Sequence, residues 1–443
     1  MKLAVIVGLI GAAPTLVVAL SKLEPQDGKI LFGPWYDSST GPVSGGDTAG
    51  DFNNRIGFKS SVFQMYQHLP PVPPTSGPPD YGSTSHNPDG TIDINILNDN
   101  TNASLFLTVY PDLDIATDTD ITALASQMQE IRTTLGREIF IRLGPEMNGN
   151  WFDYSKSPSA FVVFWIRFYK ILNSVAPEVA LVWAPNEDVA SQKFPYAPYW
   201  PGEQYVDWVC MSMYWKGLQA GYPQSYLTNS IAPLDYTAQL MDAAGPEGSP
   251  VSFYQEYAVK YDKPMCLSEG GTGFNLNTVN TATGQQIPIS AGPGRAAVAM
   301  SFWNSNMFSP GFLIKYPKFK LFLAFEIWKE ENEAGTVVDR DYRISSDPDT
   351  LAAFKEGLKK LDAAGSIVWA EEIKKSTGTS TATSTSSKAS PSISSVINTA
   401  VVVNRVVNAT SVSTGAVAVA TKANGSSATT LSLFCMCAIF LFL

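Results

Sequence analysis

The sequence has few of the side chains that bind metals or carry protons near neutral pH. It contains only two histidines, His68 and His86, and four cysteines in 443 residues. A zinc-bound water or a Ser-His-Asp triad is therefore difficult to assemble. We expect no metal and no cofactor, and His68 is either part of a site at the end of the second strand or an ordinary loop residue.

Positive charge is also scarce, because 30 lysines and arginines face 40 aspartates and glutamates, for a net charge of -10. Nucleic-acid binding requires a basic face for the phosphates, so we exclude nucleic acid as a partner. Charged residues make up 16% of the chain and aromatic residues 12%. These values favour a neutral, ring-shaped ligand over an anionic one, although a large core would explain them equally well.

Both ends of the chain carry apolar segments, but neither is a typical membrane span. Residues 1–21 have one lysine, an apolar run and small residues, which predicts a cleaved secretory signal. The apolar residues 431–443 are fewer than the roughly 20 that a spanning helix requires. Small residues precede this tail at Asn424, so we predict a glycosylphosphatidylinositol (GPI) anchor attached there, with a tail anchor as the alternative. The expected location is extracellular, at the cell membrane or cell wall.

Two of the four cysteines lie in the tail that anchoring would remove, which leaves Cys210 and Cys266. Alternate residues of a strand point to opposite faces of the sheet. By this rule, the side chain of Cys210 lies on the same face as that of Tyr214, whereas the side chain of Cys266 lies on the opposite face to that of Glu269. If Tyr214 and Glu269 face the same interior, the two sulfurs point to opposite sides of the sheet and need a bulge to pair. The pattern predicts two buried free thiols.

Composition divides the chain into a folded domain, residues 22–373, and a Ser/Thr-rich segment, residues 374–430. The second segment lacks the periodic large apolar residues of a core, so we predict a disordered, O-glycosylated stalk with further sequons at Asn408 and Asn424. Within the domain, Asn102 is a predicted N-glycosylation site if its turn is exposed.

Strands and helices alternate through the domain. Strands are predicted at residues 29–36, 61–69, 104–110, 138–143, 179–183, 206–215, 264–269 and 321–328. Helices are predicted at residues 120–135, 159–175, 251–261, 295–306 and 349–361. Most strands are continuous apolar runs, and no Gly-rich nucleotide loop follows the first one. The pattern therefore predicts the α/β class and a (β/α)8 TIM barrel.

In such a barrel every strand ends at one rim, where sites are built. Acidic residues occupy four strand ends: Glu146, Glu187, Glu269 and Glu326. We interpret Glu187 as a surface or supporting group, with Asn186 pointing inward, and Glu326 as the partner of a lysine.

The other two strand-end carboxyls have the surroundings of a working site. Glu146 enters a turn that contains Asn148 and Trp151, and Glu269 is followed by two glycines that leave room for a ligand. Two carboxyls on one rim fit glycosidic bond cleavage, in which one donates a proton and the other attacks or activates water. Tryptophans and tyrosines supply flat surfaces for sugar rings, although each alone is more often a core residue.

The segments IRLGPEMNGNW, LVWAPN, YWPGEQYVDWVCMSMYW, PMCLSEGG and EIWKEENEAGTVVDRDYRI occur in this order. They resemble the motifs of glycoside hydrolase family 26, the beta-mannanase-like family of retaining barrel enzymes. The resemblance implies that Glu146 is the general acid/base and Glu269 the nucleophile. It also implies that Tyr214 hydrogen-bonds the nucleophile. The other residues that it assigns to substrate binding or support are Arg142, Asn148, Trp151 and Trp328.

The resemblance implies a retaining, endo-beta-mannanase-like glycoside hydrolase that acts on a beta-linked polysaccharide. We expect the protein to be a monomer. Pro145 stands where mannanases of the family commonly carry histidine, so mannan is not selected over other beta-glycans. Two alternatives stay open. The same barrel could be a catalytically silent carbohydrate-binding or structural protein of the cell wall, or it could be a transglycosylase.

Overall fold

The computed structural model describes residues 20–36, 48–73, 86–188, 194–309 and 311–373. The predicted stalk and tail, with Asn408 and Asn424, and nearly all of the predicted signal lie outside these residues. Within the described ranges, no helix is both long and apolar enough to cross a membrane. Asn102 is exposed, as an acceptor of glycan must be.

Eight parallel strands form the central sheet, in the order β1-β10-β7-β6-β5-β4-β3-β2. Between the two end strands, the Ser61 amide donates to the Phe32 carbonyl over 2.9 Å, and the Phe32 amide donates to Ser61 Oγ over 2.9 Å. The predicted (β/α)8 barrel is confirmed, with strand ends displaced by a few residues. The strands are β1 Leu31–Tyr36, β2 Val62–Leu69, β3 Ser104–Pro111, β4 Ile139–Leu143, β5 Ala180–Trp183, β6 Trp208–Trp215, β7 Met265–Thr272 and β10 Phe319–Glu326.

Helices cover the outside of this sheet. They are α1 Ala49–Ile56, α2 Asp118–Leu135, α3 Pro158–Val175, α4 Tyr236–Asp242, α5 Arg295–Phe302, α6 Phe312–Lys315 and α7 Pro348–Ala363. Two π-helical segments replace parts of predicted helices, at Tyr254–Val259 and Trp303–Met307. Short 3-10 turns occur at Asp153–Lys156, Ala197–Tyr199, Glu203–Tyr205, Gln219–Gly221 and Gln224–Leu227.

Helix α2 illustrates how local sequence sets the outer layer. It begins after Thr117, whose side chain accepts from the Asp120 amide while the Asp120 carboxylate accepts from the Thr117 amide, and it ends at Gly136 in the left-handed conformation. Its buried residues follow the predicted helical period and pack in the outer core: Ile121, Leu124, Ala125, Met128 and Ile131.

A second sheet, which the sequence did not reveal, consists of four antiparallel strands in the order β11-β12-β8-β9. Its strands are β8 Phe274–Val279, β9 Gln286–Pro288, β11 Trp328–Glu333 and β12 Thr336–Asp341. They are inserted after β7 and β10, and their polar composition lacks the apolar runs by which buried strands are recognised. Trp328 consequently opens β11 and is not the end of a barrel strand.

The prediction of two free thiols is wrong, because Cys210 and Cys266 form a disulfide. They lie side by side on β6 and β7, but the register shifts just above them, so that Met211 pairs with Leu267 and Ser212 with Glu269. The extra residue on β7 is Ser268. This bulge reverses the strand parity, so that the side chain of Cys266 lies on the same face as that of Glu269.

Candidate active site

Glu146 lies in a tight turn at the exit of β4. Its backbone has a φ of +53°, its amide donates to the Ala184 carbonyl over 2.9 Å, and its carbonyl accepts from the Gly149 amide over 2.9 Å. A non-glycine residue in the left-handed region carries strain that the surroundings must hold, a feature that is concentrated at functional sites. The turn fixes the direction in which the half-buried Glu146 side chain leaves the rim.

Glu269 on β7 is held at both carboxylate oxygens. The Tyr66 hydroxyl donates to Oε1 over 2.6 Å, and the Arg142 guanidinium donates to Oε2. The residue is only 9% exposed, so an unpaired carboxylate would be costly at this position. Two donors, one of them charged, supply what an ionised carboxylate needs.

Ser212 connects the two glutamates. Its hydroxyl oxygen accepts from Arg142 Nη2 over 2.8 Å, and its side chain also hydrogen-bonds the Glu146 carboxyl. Glu269, Arg142, Ser212 and Glu146 therefore form one continuous chain of hydrogen bonds across the mouth of the barrel. The structure brings together the two carboxyls that the sequence singled out.

The two glutamates differ in their electrostatic surroundings. Burial raises the pKa of Glu146, and the negative charge of Glu269 raises it further, against the opposing effects of Arg142 and Ser212. For Arg142, burial alone would lower the pKa, but the charges of Glu269, Tyr66 and Glu146 together outweigh burial and raise the pKa of the guanidinium. One carboxyl thus holds its proton more firmly, while the other is paired with a permanent cation.

Tyr214 occupies a different position from the one expected. The phenol of Tyr66 donates to Glu269, whereas the Tyr214 ring packs edge-on against Phe325 and Tyr342, with centroids 5.4 Å away in both cases. Burial raises the pKa of Tyr214, and the charges of Glu269 and Glu146 add to this effect. Tyr214 therefore lies in the wall of the site, near both glutamates.

Trp151 packs over the turn that carries Glu146. A side chain at Gly149 would approach the indole to 2.4 Å, so only glycine allows this packing. The ring also meets Phe152 and Phe194 edge-on. The indole therefore packs against the turn and two neighbouring aromatic rings at the rim.

Asn148 is buried and binds two neighbouring loops together. Its amide nitrogen donates to the carbonyls of Asn186 and Phe194 over 3.0 and 2.8 Å, and its oxygen accepts from the Asn186 amide over 2.8 Å. These contacts make it a supporting residue. Trp328 lies on the second sheet, where its indole hydrogen-bonds the Asp339 carboxylate.

Two strand-end acids have partners that the sequence did not predict. Glu326 does not pair with a lysine: it is fully buried and accepts from the amides of Ile344 and Ser345 over 2.7 and 2.8 Å. Burial raises its pKa to about 7. Glu187 is half-buried at the rim, where burial and the charge of Glu146 raise its pKa to about 8.

The two glycines after Glu269 have different roles. A Cβ on Gly270 would lie 2.7 Å from the Met213 carbonyl, so this glycine permits close approach of β6 and does not create space for a ligand. Gly271 has more room, since a Cβ there would have Trp303 as its nearest neighbour at 4.0 Å. His68 lies beside Tyr110, with ring centroids 5.4 Å apart, and burial lowers its pKa to about 4.

Sequence reasoning missed Tyr66 and Ser212. Tyr66 lies in a strand, SVFQMYQHL, in which polar and apolar residues do not alternate cleanly, so no pattern identifies its inward face. Ser212 lies two residues before Tyr214, so both side chains are on the same face of the strand. This shared face was the only feature of the sequence that could have indicated Ser212 as a site residue.

With this geometry established, comparison with known proteins identifies the class. Residues 82–261 match the model of glycosyl hydrolase family 26. The resemblance predicted from the sequence is confirmed, and the protein is a glycoside hydrolase. The matched segment contains Arg142, Glu146 and Tyr214, whereas Glu269 follows it.

The fold is similar to those of bacterial mannanases of known structure. One is the GH26 beta-mannanase BoMan26A from Bacteroides ovatus, at 15% identity over 78% of this chain and 93% of that one, with a TM-score of 0.43. Another is a modular endo-beta-1,4-mannanase from Cellulomonas fimi, at 15% identity over 77% and 72%, with a TM-score of 0.47. A third is the catalytic domain of the GH26 endo-beta-1,4-mannanase from Bacillus sp. JAMB-750, at 13% identity over 79% and 89%, with a TM-score of 0.46. No curated protein sequence matches the chain.

Proposed function

We propose that this glycoside hydrolase is a retaining beta-glycosidase that cleaves a beta-linked polysaccharide by double displacement. The observation that carries the proposal is the hydrogen-bonded chain from Glu269 through Arg142 and Ser212 to Glu146. It places on one rim a carboxyl with a raised pKa, Glu146, and a carboxyl that is held by Arg142 and Tyr66, Glu269. These surroundings suit a proton donor and a nucleophile, the two roles that this reaction needs.

In the first step, a Glu269 oxygen attacks the anomeric carbon as the bond to the leaving oxygen breaks. The proton of Glu146 passes to that oxygen, and a glycosyl ester on Glu269 is formed. In the second step, Glu146 takes a proton from water, the water oxygen attacks the anomeric carbon, and the ester bond to Glu269 breaks. The product keeps the beta configuration, because two inversions have occurred.

The surrounding residues support each step. Arg142 and Tyr66 hold the Glu269 carboxylate in place, and the donors that stabilise it are already oriented before substrate binds. The raised pKa of Glu146 keeps a proton available for the leaving group. The fixed turn at Glu146 keeps that carboxyl at the rim.

The test compares the wild type with Glu146→Ala and Glu269→Ala on a panel of beta-glucans, beta-xylans and beta-mannans. Glu256→Ala is the matched control, since Glu256 is exposed and pairs with Lys260 on the outer surface. Both site variants should lose activity. Added azide should restore activity to both variants. The product should be an alpha-glycosyl azide with Glu269→Ala and a beta-glycosyl azide with Glu146→Ala.

Three results would contradict this proposal. Full activity of Glu269→Ala would remove the nucleophile assignment. Sugar binding without turnover on any glycan would favour a carbohydrate-binding or structural protein, and products longer than the substrate would instead indicate transglycosylation.

We further propose that the protein is secreted as a monomer and held at the cell surface by a GPI anchor at Asn424. The apolar segments at both ends of the chain support this location, and so does the Cys210–Cys266 disulfide, since disulfides persist mainly in oxidising compartments. Expressed as the full chain, the enzyme should be released from cells by a phosphatidylinositol-specific phospholipase. An Asn424→Gln variant that is still released by the lipase would place the attachment elsewhere.

A further inference from the structure

The second sheet has one polar face that the proposed reaction does not use. Trp328 and Glu330 of β11 lie on this face, because alternate residues of a strand share a face. In the pairing register they lie opposite Asp341 and Asp339 of β12, and Asn277 of β8 in turn pairs with Asp339. We call Trp328, Glu330, Asp339 and Asn277 the acidic face.

The cations of this sheet lie on its other face. In the four strands, lysine and arginine occur only at Lys329 and Arg340. These two residues lie opposite each other in the register, and both contact Glu331. The acidic face therefore receives no cation from its own strands.

Two acids of this face have no ion pair with any residue that the structure describes. A third, Asp341, pairs with Arg295 and Arg343 at 2.8 and 2.7 Å. Glu330 and Asp339 instead lie directly opposite each other, where like charges destabilise a sheet. A hydrogen-bond donor that binds to this pair would therefore stabilise the folded protein.

Asp339 has a hydrogen-bonding oxygen that the protein leaves unused. The residue is 3% exposed, and its Oδ2 accepts from Asn277 Nδ2 over 3.0 Å. Its Oδ1 is buried and has no hydrogen-bond partner among the described residues. Burial raises the pKa of Asp339, and it outweighs the two hydrogen bonds and the charge of Arg343 that lower the pKa. Because buried polar atoms are normally hydrogen-bonded, the unpaired oxygen indicates a donor from a ligand.

The groups on the acidic face favour a sugar as that ligand. Trp328 is half-exposed, and its indole hydrogen-bonds Asp339, so a flat apolar surface lies beside two carboxyls. A sugar unit offers both complementary groups, an apolar ring face and hydroxyl donors. A calcium ion needs about six to eight oxygen ligands, and this face supplies only the carboxyls of Glu330 and Asp339.

The acidic face adjoins the mouth of the barrel. Trp328 lies two residues after Glu326, which ends β10. Strand β10 pairs with β7 so that Ala324 lies opposite Gly270, the residue after Glu269. A glycan that extends from Glu269 across the end of β10 therefore reaches the second sheet at Trp328.

We infer that the acidic face binds sugar units of the glycan beyond the unit that is cleaved, with Glu330 and Asp339 as acceptors for sugar hydroxyls. Trp328 is the flat surface on which one of these units lies. The inference rests on the proposed function, because it adds a specificity-determining site to the same cleft. Hydrogen bonds from hydroxyls to carboxylates are charge-assisted, so each contributes more than a neutral hydrogen bond.

The test uses oligosaccharides of increasing length from one beta-glycan that the wild type cleaves. All share the bond that is cleaved, so a loss confined to the longer ones reports contacts away from that bond. The full chain is compared with Glu330→Gln and Asp339→Asn, which keep the size of the side chain and remove its charge. The matched control is Glu356→Gln, since Glu356 is an exposed glutamate of α7 that pairs with Lys359.

We expect Glu330→Gln to lower kcat/KM on the long oligosaccharides about 10-fold more than on the shortest one, because a charge-assisted hydrogen bond becomes a neutral one. Asp339→Asn should act in the same direction. Both variants should unfold at the same denaturant concentration as the wild type or at a higher one, since repulsion between the two acids is removed. Glu356→Gln should leave the dependence on length unchanged.

Equal effects on all lengths, or a loss of stability without a change in the length dependence, would overturn the inference. A length dependence that disappears in EDTA and returns with added calcium would also overturn it, and would assign the two acids to a metal ion.

Failure of the proposed function gives a different result, namely that the wild type cleaves no beta-glycan. Calorimetry with the same oligosaccharides and Glu146→Ala then decides the site. Binding that the added Glu330→Gln substitution weakens would support the acidic face as a sugar-binding site, whereas unchanged or absent binding would exclude it.

Discussion

The phenol of Tyr66 on β2 donates a 2.6 Å hydrogen bond to Glu269 on β7, a residue 203 positions later in the chain. Burial raises the pKa of Tyr66, and the charge of Glu269 raises it further, so the phenol stays protonated and remains a donor. The contact fixes one oxygen of Glu269, while Arg142 fixes the other.

Replacing Tyr66 by phenylalanine tests this contact. Tyr66→Phe should reduce kcat/KM about 10- to 100-fold, because a hydrogen bond to a charged group is lost while the ring is kept. Steady-state kinetics and circular dichroism would show a loss of rate without a loss of fold. Tyr261→Phe, on the outer surface, is the control, and equal rates for Tyr66→Phe and the wild type would show that Arg142 alone positions Glu269.

The pH profile should report the raised pKa of Glu146. The proton is retained to a higher pH than in an ordinary glutamate, so the alkaline limb of kcat/KM should lie above the usual carboxyl range. Ser212→Ala removes a hydrogen bond that favours the ionised form, so it should move this limb to still higher pH. A limb that stays in place or moves down would show that Ser212 does not act on Glu146.

Glu326 should make stability depend on pH. Its pKa is raised by burial to about 7 in the folded protein, so its folded state favours the proton. This preference stabilises the folded protein. The stabilisation is fully present below the pKa that the carboxyl has in the unfolded chain. As the pH rises towards 7, the free energy of unfolding decreases by up to about 3 kcal/mol. Denaturant unfolding at pH 4.5 and 7.5 should show a smaller difference for Glu326→Gln than for the wild type. An unchanged difference would mean that other groups cause the dependence.

Removing the disulfide should destabilise the barrel. Cys210 and Cys266 close a loop of 56 residues in sequence separation inside the inner core. The double variant Cys210→Ala, Cys266→Ala should lose about 2–4 kcal/mol of unfolding free energy, measured by chemical denaturation. Activity per folded molecule should persist, because the two glutamates are positioned by Arg142 and Ser212. Equal stability of the variant and the wild type would show that the bond contributes little.

Glu146, Glu269 and the order of barrel strands could be read from the sequence, since buried parallel strands are continuous apolar runs and their ends converge on one rim. The pairing of Cys210 with Cys266 could not be read from the sequence. A single extra residue on β7 changes which side chains share a face of the sheet, and no local sequence pattern identifies that residue. The role of Trp328 changed for a similar reason: a polar antiparallel strand such as β11 resembles a loop in composition.

By itself, the sequence determined the barrel, the rim and the pair of carboxyls, because these depend on period, length and residue type along the chain. Only the tertiary structure decided which donors hold Glu269, how Ser212 joins the two glutamates, and which strands pair beside the barrel in the second sheet. Those relationships depend on register, bulges and the packing of distant segments, and the free energy of such contacts is set by neighbours that the linear sequence does not specify.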